Sequence, residues 1–341
     1  MRNRRDHRTV RVLVALALCV GALVVASPAH AAPKLDEVTI GYSAWPGWFP
    51  LAVADEKGIF EKNGLDVDLE YFADYIASLD AMTAGELDAN TQTLNDTMAA
   101  VAGGSKQAII VVNDNSAGND AIICDQSVKT VADLKGKTIA AEQGVVDHFL
   151  LLQGLAKAGM TEEDVDFKGV LTADAATSFA AGEFDCVGVF APFTVEALKR
   201  PGSHVVFSSE DFPGIIPDHI VVTKELAAKR PKVAQKIVNA WYDTLAYLEA
   251  NPDESTKIMA DVAEVTPTEY DEFAGGTKLF TVDEALAAFA PGDTTASLQY
   301  TAKLINPFMV ESGLTKKQAS LKGLFVPKFT QAYADASGST S

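Results

Sequence analysis

The fold begins with the stretch Val38-Thr39-Ile40-Gly41-Tyr42-Ser43-Ala44-Trp45-Pro46-Gly47-Trp48. Residues 38–42 are a short β-branched run that predicts a strand. Pro46-Gly47 is a turn signal between two tryptophans, and a helix is predicted over residues 50–57, ending at Gly58. The first unit is therefore a strand, an aromatic loop and a helix.

The same alternation continues along the chain. Residues 65–71 alternate apolar with acidic side chains, which is the period of a strand. Further strands are predicted over residues 87–93, 108–112, 121–124, 137–141, 165–170, 184–189, 205–208 and 218–222. Helices are predicted over residues 78–84, 96–102, 147–158 and 231–250, the last beginning at Pro231. Strands that alternate with helices indicate an α/β fold with parallel sheets covered on both faces.

The length of the chain predicts more than one lobe. A single core stops growing near roughly 250–300 residues, and this chain has 341. Two sets of strands and helices, with crossings near Asn119 and Ile220, predict two α/β lobes joined by two strands. The predicted segments are a signal peptide (1–31), the first part of lobe 1 (36–118), lobe 2 (119–220), the second part of lobe 1 with C-terminal helices (221–335) and a flexible tail (336–341).

The first thirty-one residues have the pattern of a secretory leader. Five arginines precede an apolar run over residues 12–26, and Ala29-His30-Ala31 fits a small-x-small cleavage site. The apolar run is shorter than the ~18 residues of a membrane span. We therefore expect a cleaved signal peptide and a periplasmic or otherwise extracytoplasmic protein.

Composition excludes several classes of partner. Apolar residues make up 48% of the chain and charged residues 22%, which is typical of a globular protein. The net charge is −18, and removal of residues 1–31 leaves 23 basic and 45 acidic side chains, a net charge of −22. A nucleic-acid partner is not expected, because neutralising phosphates requires a basic face.

The loops at the carboxyl ends of the predicted strands are rich in aromatic and acidic side chains. Ligands of open α/β sheets bind beyond these ends, so the loops predict a cleft between the lobes. The candidate ligand-binding residues are Tyr42, Trp45, Trp48, Asp74, Tyr75, Asn95, Asp96, Asp114, Glu142, Asp147, His148, Phe193 and Asp218.

Some of these residues have a structural alternative. Asp96 and Asp147 stand where helices are predicted to begin, so each could cap a helix instead. Asp74 could shape a loop, and one of Trp45 and Trp48 could pack beneath its own turn. Trp241 lies on the apolar face of a helix and is predicted to be core.

Several motifs resemble those of a known family. They are Gly41-Tyr42-Ser43 with Trp45-Pro46-Gly47-Trp48, then Gly85-Glu86-Leu87-Asp88-Ala89, residues 131–137 and residues 181–185. They resemble the solute-binding proteins of the nitrate/sulfonate/taurine class of ABC importers. The resemblance implies a type II periplasmic-binding-protein fold, hinge closure on a small solute, and delivery to a membrane permease with its ATPase. We expect a monomer without a cofactor.

Two further stretches resemble one branch of that class. Residues 115–120 and 146–151 are similar to the branch associated with urea carboxylase and guanidine-type nitrogen use. The implied sheet order also sets the strand at 121–124 antiparallel to the one at 184–189. This places Cys124 and Cys186 at the same far side, where they either form a disulfide or remain two small buried thiols.

Ligand chemistry is indicated by the distribution of basic residues. After Arg11 the next arginine is Arg200, the last is Arg230, and no lysine falls in the cleft loops. A guanidinium clamp on an anion is therefore nearly unavailable, although helix N-termini and backbone N–H groups could still hold one. Acids and rings suit a small nitrogen-rich cation such as guanidinium, with urea or an amide as the near neighbour. We expect the ligand to bridge Trp45, Trp48 and Asp96 to second-lobe groups such as Asp147 and Asp218.

An enzyme or a sensor with this fold is the competing class. A pyrimidine-precursor-related enzyme would need a cysteine-rich motif, and this chain has only isolated cysteines. No nucleophile elbow, zinc signature, phosphate loop or dinucleotide fingerprint occurs in the sequence. The three histidines beyond the leader are widely separated, so a metal site is not expected. Binding without catalysis is the predicted function.

Overall fold

The computed structural model describes residues 34–338 of the chain. The predicted signal peptide and residues 339–341 of the predicted tail lie outside the described residues. The strands are β1 (Asp36–Ser43), β2 (Leu65–Phe72), β3 (Ala89–Thr93), β4 (Gln107–Ser116), β5 (Asp120–Cys124), β6 (Thr138–Ala141), β7 (Asp166–Gly169), β8 (Cys186–Phe190), β9 (His204–Ser208), β10 (Pro217–Thr223) and β11 (Thr277–Leu279). Every predicted strand is confirmed, and β11 was not predicted.

Helices cover the strands and form most of the last third of the chain. They are α1 (Pro50–Glu56), α2 (Ile59–Lys62), α3 (Tyr75–Ala84), α4 (Leu94–Gly103), α5 (Val146–Lys157), α6 (Thr172–Ala180), α7 (Phe193–Ala197), α8 (Lys224–Lys229), α9 (Pro231–Ala250), α10 (Pro252–Val262), α11 (Pro267–Ala274), α12 (Val282–Phe289), α13 (Leu298–Glu311) and α14 (Lys328–Ser337). None of the helices within residues 34–338 is both long and apolar enough to cross a membrane.

Two sheets define two lobes. The first sheet has the order β11-β4-β10-β3-β1-β2, and the second has the order β7-β6-β8-β5-β9. In each sheet four strands run in the same direction, β1 to β4 in the first and β6 to β9 in the second. The strand that crosses from the other lobe is inserted antiparallel: β10 between β3 and β4, and β5 between β8 and β9. The predicted class, two α/β lobes joined by two crossing strands, is confirmed.

The return crossing comes earlier in the chain than predicted. The whole of β10, including Asp218, pairs with β3 and β4 in the first sheet. The predicted boundary at residue 220 therefore falls inside a first-lobe strand, and Asp218 is a first-lobe residue. Local sequence patterns predict the strand correctly. They do not predict that it pairs with β3 and β4, because those strands are distant in the sequence.

Local sequence explains most helix boundaries. In α9, Pro231 occupies the first turn, and Val233, Ile237 and Trp241 are buried on one face, as predicted. In α4 the capping residue is Thr93, whose hydroxyl accepts from the Asp96 amide, so the predicted capping by Asp96 is wrong. Asp147 likewise lies inside α5 and is not its N-cap.

Two other expectations concern helices. The predicted helices include none over residues 172–180, where the structure has α6. The predicted flexible tail starts at residue 336, yet α14 continues to Ser337 and buries Phe329, Thr330 and Ala334. The first residues of the predicted tail therefore belong to a helix.

A disulfide lies in the second sheet. Cys124 of β5 stands directly opposite Cys186 of β8 in the antiparallel register, and the two sulfurs are bonded. Both side chains are buried. The bond joins β5 to β8 at one end of the strand pair. Asp120 and Phe190 are paired at the opposite end.

Candidate ligand-binding site

A small cavity lies between the two lobes where strands of both sheets end. Its volume is about 10 Å³, room for roughly one water molecule. The first lobe contributes Trp45, Trp48, Tyr75, Thr93 and Asp218, and the second contributes Asp120, Val146 and Phe190. In this closed arrangement the cavity must widen to admit any solute larger than a water molecule.

Four aromatic side chains surround the cavity, and we call them the aromatic box: Trp45, Trp48, Tyr75 and Phe190. They form a closed circuit of ring contacts. The centroid distances are 6.3 Å for Trp45–Trp48, 5.3 Å for Trp48–Tyr75, 6.2 Å for Tyr75–Phe190 and 6.3 Å for Phe190–Trp45. Because Phe190 comes from the second lobe and the others from the first, the box is complete only when the lobes meet.

Backbone and polar contacts fix the rings of the box. The Trp45 indole Nε1 donates to Asp114 Oδ1 over 3.0 Å. The Tyr75 hydroxyl accepts from the Thr93 amide over 3.0 Å. Gly47 lies so close to Asp114 that a Cβ at this position would stand 1.9 Å from Asp114 Oδ2. The turn between the two tryptophans therefore requires glycine.

Five buried aspartates accompany the box, and we call them the acid cluster: Asp96, Asp114, Asp120, Asp147 and Asp218. Each is at most 2% exposed. The cavity lining, which lies wholly within the described chain, includes no lysine or arginine. Among residues 34–338 no ion pair involves any of the five.

Several oxygens of the acid cluster lack a donor. Within residues 34–338 no N–H or hydroxyl group donates to Asp114 Oδ2, Asp120 Oδ2, Asp147 Oδ1 or either carboxylate oxygen of Asp218. The Asp114 and Asp218 carboxyl groups contact each other, so a proton on one can be shared with the other. Buried polar atoms in proteins are nearly always partnered, and each exception requires an explanation. A ligand rich in N–H groups would supply the missing donors.

Burial makes these carboxyl groups weak acids. It raises the pKa of Asp96 to about 7, of Asp114 to about 8 and of Asp120 to about 7. The pKa of Asp147 and that of Asp218 lie well above the usual range, first because of burial and then because neighbouring carboxylates repel their negative charge. A cation in the cavity would favour the ionised form of all five.

The structure brings most of the predicted site residues together. Trp45, Trp48, Tyr75 and Asp218 line the cavity. Asp96, Asp114 and Asp147 belong to the acid cluster beside it. Asn95 donates to Asp96 Oδ1 over 2.8 Å, and the Phe193 ring packs on Phe190 at 5.5 Å.

Four other predicted residues neither line the cavity nor belong to the acid cluster. Tyr42 packs its ring edge-on against Tyr71, and Asp74 is exposed at the start of α3. His148 Nε2 is 2.6 Å from Glu162, and its ring is stacked on Phe167. Glu142 is bound to Thr172 and to the first turn of α3. Tyr42, His148 and Glu142 therefore contact partners outside the cavity, and Asp74 faces solvent.

Four lining residues were missed by the site prediction: Thr93, Asp120, Val146 and Phe190. Asp120 directly follows the predicted crossing at Asn119, and crossing points are where such sheets bind ligands. Phe190 is the last residue of β8, at its carboxyl end. Both positions carried a usable signal, since each is the residue of its strand nearest the predicted cleft.

The described part of the chain offers no metal centre. Within residues 34–338 no group of three or more His, Cys, Asp or Glu side chains could hold a metal ion. The site is therefore built from rings, carboxylates and a threonine hydroxyl.

Comparison with known proteins finds chains that are similar to this one in sequence or in fold. A binding protein of Brucella abortus (strain 2308) is 28% identical over 299 residues, which cover 85% of this chain and 92% of the relative. The alkanesulfonate-binding protein of Xanthomonas axonopodis pv. citri has a TM-score of 0.71 at 20% identity, covering 87% of this chain and all of that one. The periplasmic nitrate-binding protein of Synechocystis PCC 6803 has a TM-score of 0.70 at 15% identity, covering 90% of each chain.

The two lobes and the cavity enclosed between them define a periplasmic-binding-protein fold, which matches the alkanesulfonate-binding and nitrate-binding structures. The model of the NMT1-like family matches residues 31–264. The chain belongs to the NMT1-like family.

Proposed function

We propose that this chain is the extracytoplasmic solute-binding component of an ABC importer and that it captures a small nitrogen-rich cation of the guanidinium type. The observation that carries the proposal is the acid cluster. Five aspartates are buried beside a ring-walled cavity whose lining has no lysine or arginine. Burial raises the pKa of these carboxyl groups because it disfavours their ionised form, and a bound cation would favour that form again.

The chemistry of the two components fits such a cation. A desolvated cation over an aromatic face gains up to about 2 kcal/mol. Hydrogen bonds to charged groups contribute about 1.5–3 kcal/mol each. Guanidinium is planar and donates N–H groups along all three edges, which match the carboxylate oxygens that lack donors.

The size of the cavity favours a small solute. The cavity of about 10 Å³ holds about one water molecule, so any solute requires the lobes to separate, and a small planar solute requires the least separation. An alkanesulfonate with an extended tail would require the box to open. Choline has a charge but no N–H donor, so it would leave the acid oxygens unpartnered.

Urea is the second candidate for the same cavity. It has the shape of guanidinium and donates N–H groups, and the residues similar to the urea carboxylase branch favour either solute. Urea has no charge, however, so it would leave the repulsion among the five aspartates unrelieved. We therefore expect weaker binding of urea than of guanidinium.

An anion is the alternative that the names of the relatives suggest. Helix α3 begins at the cavity with Tyr75, and α5 begins there with Val146, so backbone N–H groups are near. A nitrate or sulfonate at this position would face Asp120 and Asp218 directly. These carboxylates would repel the anion, and the cavity lining has no lysine or arginine that could compensate for the repulsion.

Catalysis is disfavoured because the cysteine and the histidine that could serve as nucleophile and base are both bound to other side chains. Cys186 is bonded to Cys124, and His148 is held by Glu162 away from the cavity. We propose binding and release without turnover, by a monomer that hands its ligand to a permease and its ATPase. The leader over residues 1–31 would direct export.

A ligand-induced shift in melting temperature tests the proposal. The full chain, exported with its own leader and purified, is heated with guanidinium chloride, urea, sodium nitrate or taurine at equal ionic strength. We expect a concentration-dependent rise in the melting temperature with guanidinium at micromolar to millimolar concentration, and a smaller rise with urea. A rise with nitrate or taurine alone would contradict the cation assignment.

A further inference from the structure

Glu142 of the second lobe reaches across the cleft to the first lobe. Its Oε1 accepts a hydrogen bond from the Ile76 amide over 3.3 Å, and its side chain is 3% exposed. Ile76 is the second residue of α3, where helix N–H groups have no partner within the helix. The N-cap residue Asp74 forms no side-chain capping bond within the described residues. Glu142 therefore provides from the other lobe the acceptor that a capping side chain would normally provide.

Thr172 connects Glu142 to the acid cluster. The Thr172 hydroxyl lies 2.7 Å from Glu142 Oε2 and 2.9 Å from Asp147 Oδ2, and it is buried. A single hydroxyl thus orients two carboxyl groups of the second lobe. One of them contacts the first lobe, and the other has its free Oδ1 buried in the acid cluster.

We propose that Glu142 is an interlobe latch: it does not touch the ligand, but holds the second lobe on the N-terminus of α3 in the closed state. Thr172 makes the latch rigid and aligns it with Asp147. This assignment rests on the proposed function, because it takes the interlobe cavity as the ligand site. It also revises the sequence prediction, in which Glu142 was a ligand contact.

A latch and a ligand contact differ in their kinetic effect. The bond between Glu142 and the Ile76 amide forms whenever the lobes close, with or without ligand. Once a ligand is enclosed, removal of the bond speeds dissociation and leaves association nearly unchanged. In Glu142→Ala we expect the dissociation rate of guanidinium to rise on the order of tenfold, with an association rate within about twofold of the wild type. Thr172→Val keeps the shape of the side chain and should show a smaller rise.

Stopped-flow tryptophan fluorescence with guanidinium chloride measures both rates, since Trp45 and Trp48 lie in the cavity wall. Glu284→Ala is the matched control, because Glu284 also accepts from a backbone amide at a helix start, that of Thr281, within one lobe. The control should leave both rates unchanged. An unchanged dissociation rate in Glu142→Ala, or a loss confined to association, would overturn the latch.

Hydrogen exchange at Ile76 tests the latch separately from ligand identity. In the ligand-free full chain, Glu142→Ala should speed exchange of the Ile76 amide relative to the wild type, and Glu284→Ala should not. If the wild type fails to bind guanidinium while this difference is present, the proposed function fails and the latch stands. Equal exchange at Ile76 in wild type and Glu142→Ala would overturn the latch, and circular dichroism checks that both variants fold.

Discussion

The Trp45 indole nitrogen donates a 3.0 Å hydrogen bond to Asp114, a residue 69 positions later in the chain. The bond joins the loop after β1 to the carboxyl end of β4. Asp114 stands opposite Asp218 in the β4–β10 pair. Because only Asp114 accepts the indole hydrogen bond, the two acids have different roles. Asp114 holds the aromatic box in place, while Asp218 lines the cavity and, among the described residues, has only the Asp114 carboxyl group as a side-chain hydrogen-bond partner.

Trp45→Phe separates the ring from its hydrogen bond. The phenyl ring preserves an aromatic wall but leaves Asp114 Oδ1 without its buried donor. Loss of one hydrogen bond to a charged group weakens guanidinium binding on the order of tenfold. Calorimetric titration checks this, and Trp241→Phe, a change in a remote core helix, serves as the control. Equal affinities for wild type and Trp45→Phe would remove Asp114 from its positioning role.

Gly47→Ala should destabilise the folded chain. The added Cβ would stand 1.9 Å from Asp114 Oδ2, so either the turn or the carboxylate must move. Overpacking of this kind costs about 1–3 kcal/mol, seen as a lower urea midpoint. The control is Gly103→Ala at the end of α4, where no described atom lies within 4 Å of the new Cβ. If Gly47→Ala is as stable as the wild type, the turn accommodates the added methyl group and the steric argument is wrong.

Asp218→Asn should have opposite effects on stability and on binding. At a pH above the raised pKa values of the acid cluster, where its carboxyl groups are ionised, removal of one charge relieves repulsion, so the free energy of unfolding of the ligand-free chain should rise there. The same change removes a charged acceptor, and guanidinium affinity should fall by about 1.5–3 kcal/mol. Asp74→Asn, at an exposed position, is the control that should change neither quantity. A variant that loses stability and retains affinity would contradict the cavity role of Asp218.

The acid cluster also predicts a dependence on pH. The pKa is about 7 for Asp96, about 8 for Asp114 and about 7 for Asp120, against an ordinary value of 3.8. Between these limits the folded state binds more protons than the unfolded state, so these groups lower the stability of the ligand-free chain as pH rises from about 4 to about 8.

Guanidinium affinity should change in the opposite direction over the same window. The cation favours ionised carboxylates, so it binds more tightly as protons leave, and the affinity should level off above about pH 8. Melting temperatures and titrations at pH 5, 6, 7 and 8 measure both trends. Affinity that is flat across this range would mean that the acid cluster does not face the ligand.

Much of the fold could be predicted from the sequence, because local periodicity and turn residues mark each element. Residues 65–71 alternate strictly and form β2, and Pro231 begins α9. The partners of a strand are not encoded locally. The position of β10 therefore had to come from the structure, and with it the lobe to which Asp218 belongs.

The types of side chain that form the site could be predicted from the sequence. Which individual residues line the cavity could not. The sequence shows aromatic and acidic loops without basic residues, and these residue types form the box and the cluster. His148 and Glu142 fit the same pattern, yet Glu162 and the Ile76 amide engage them instead. Such contacts depend on distances between elements, and residue type alone does not encode them.

The central claim is that the interlobe cavity binds a cation through rings and buried carboxylates. Isothermal titration of the full exported chain with guanidinium chloride, and in parallel with sodium nitrate, tests it most directly. We predict saturable one-to-one binding of guanidinium, weakened in Asp218→Asn, and no heat of binding with nitrate. Saturable binding of nitrate with no response to guanidinium would contradict the account.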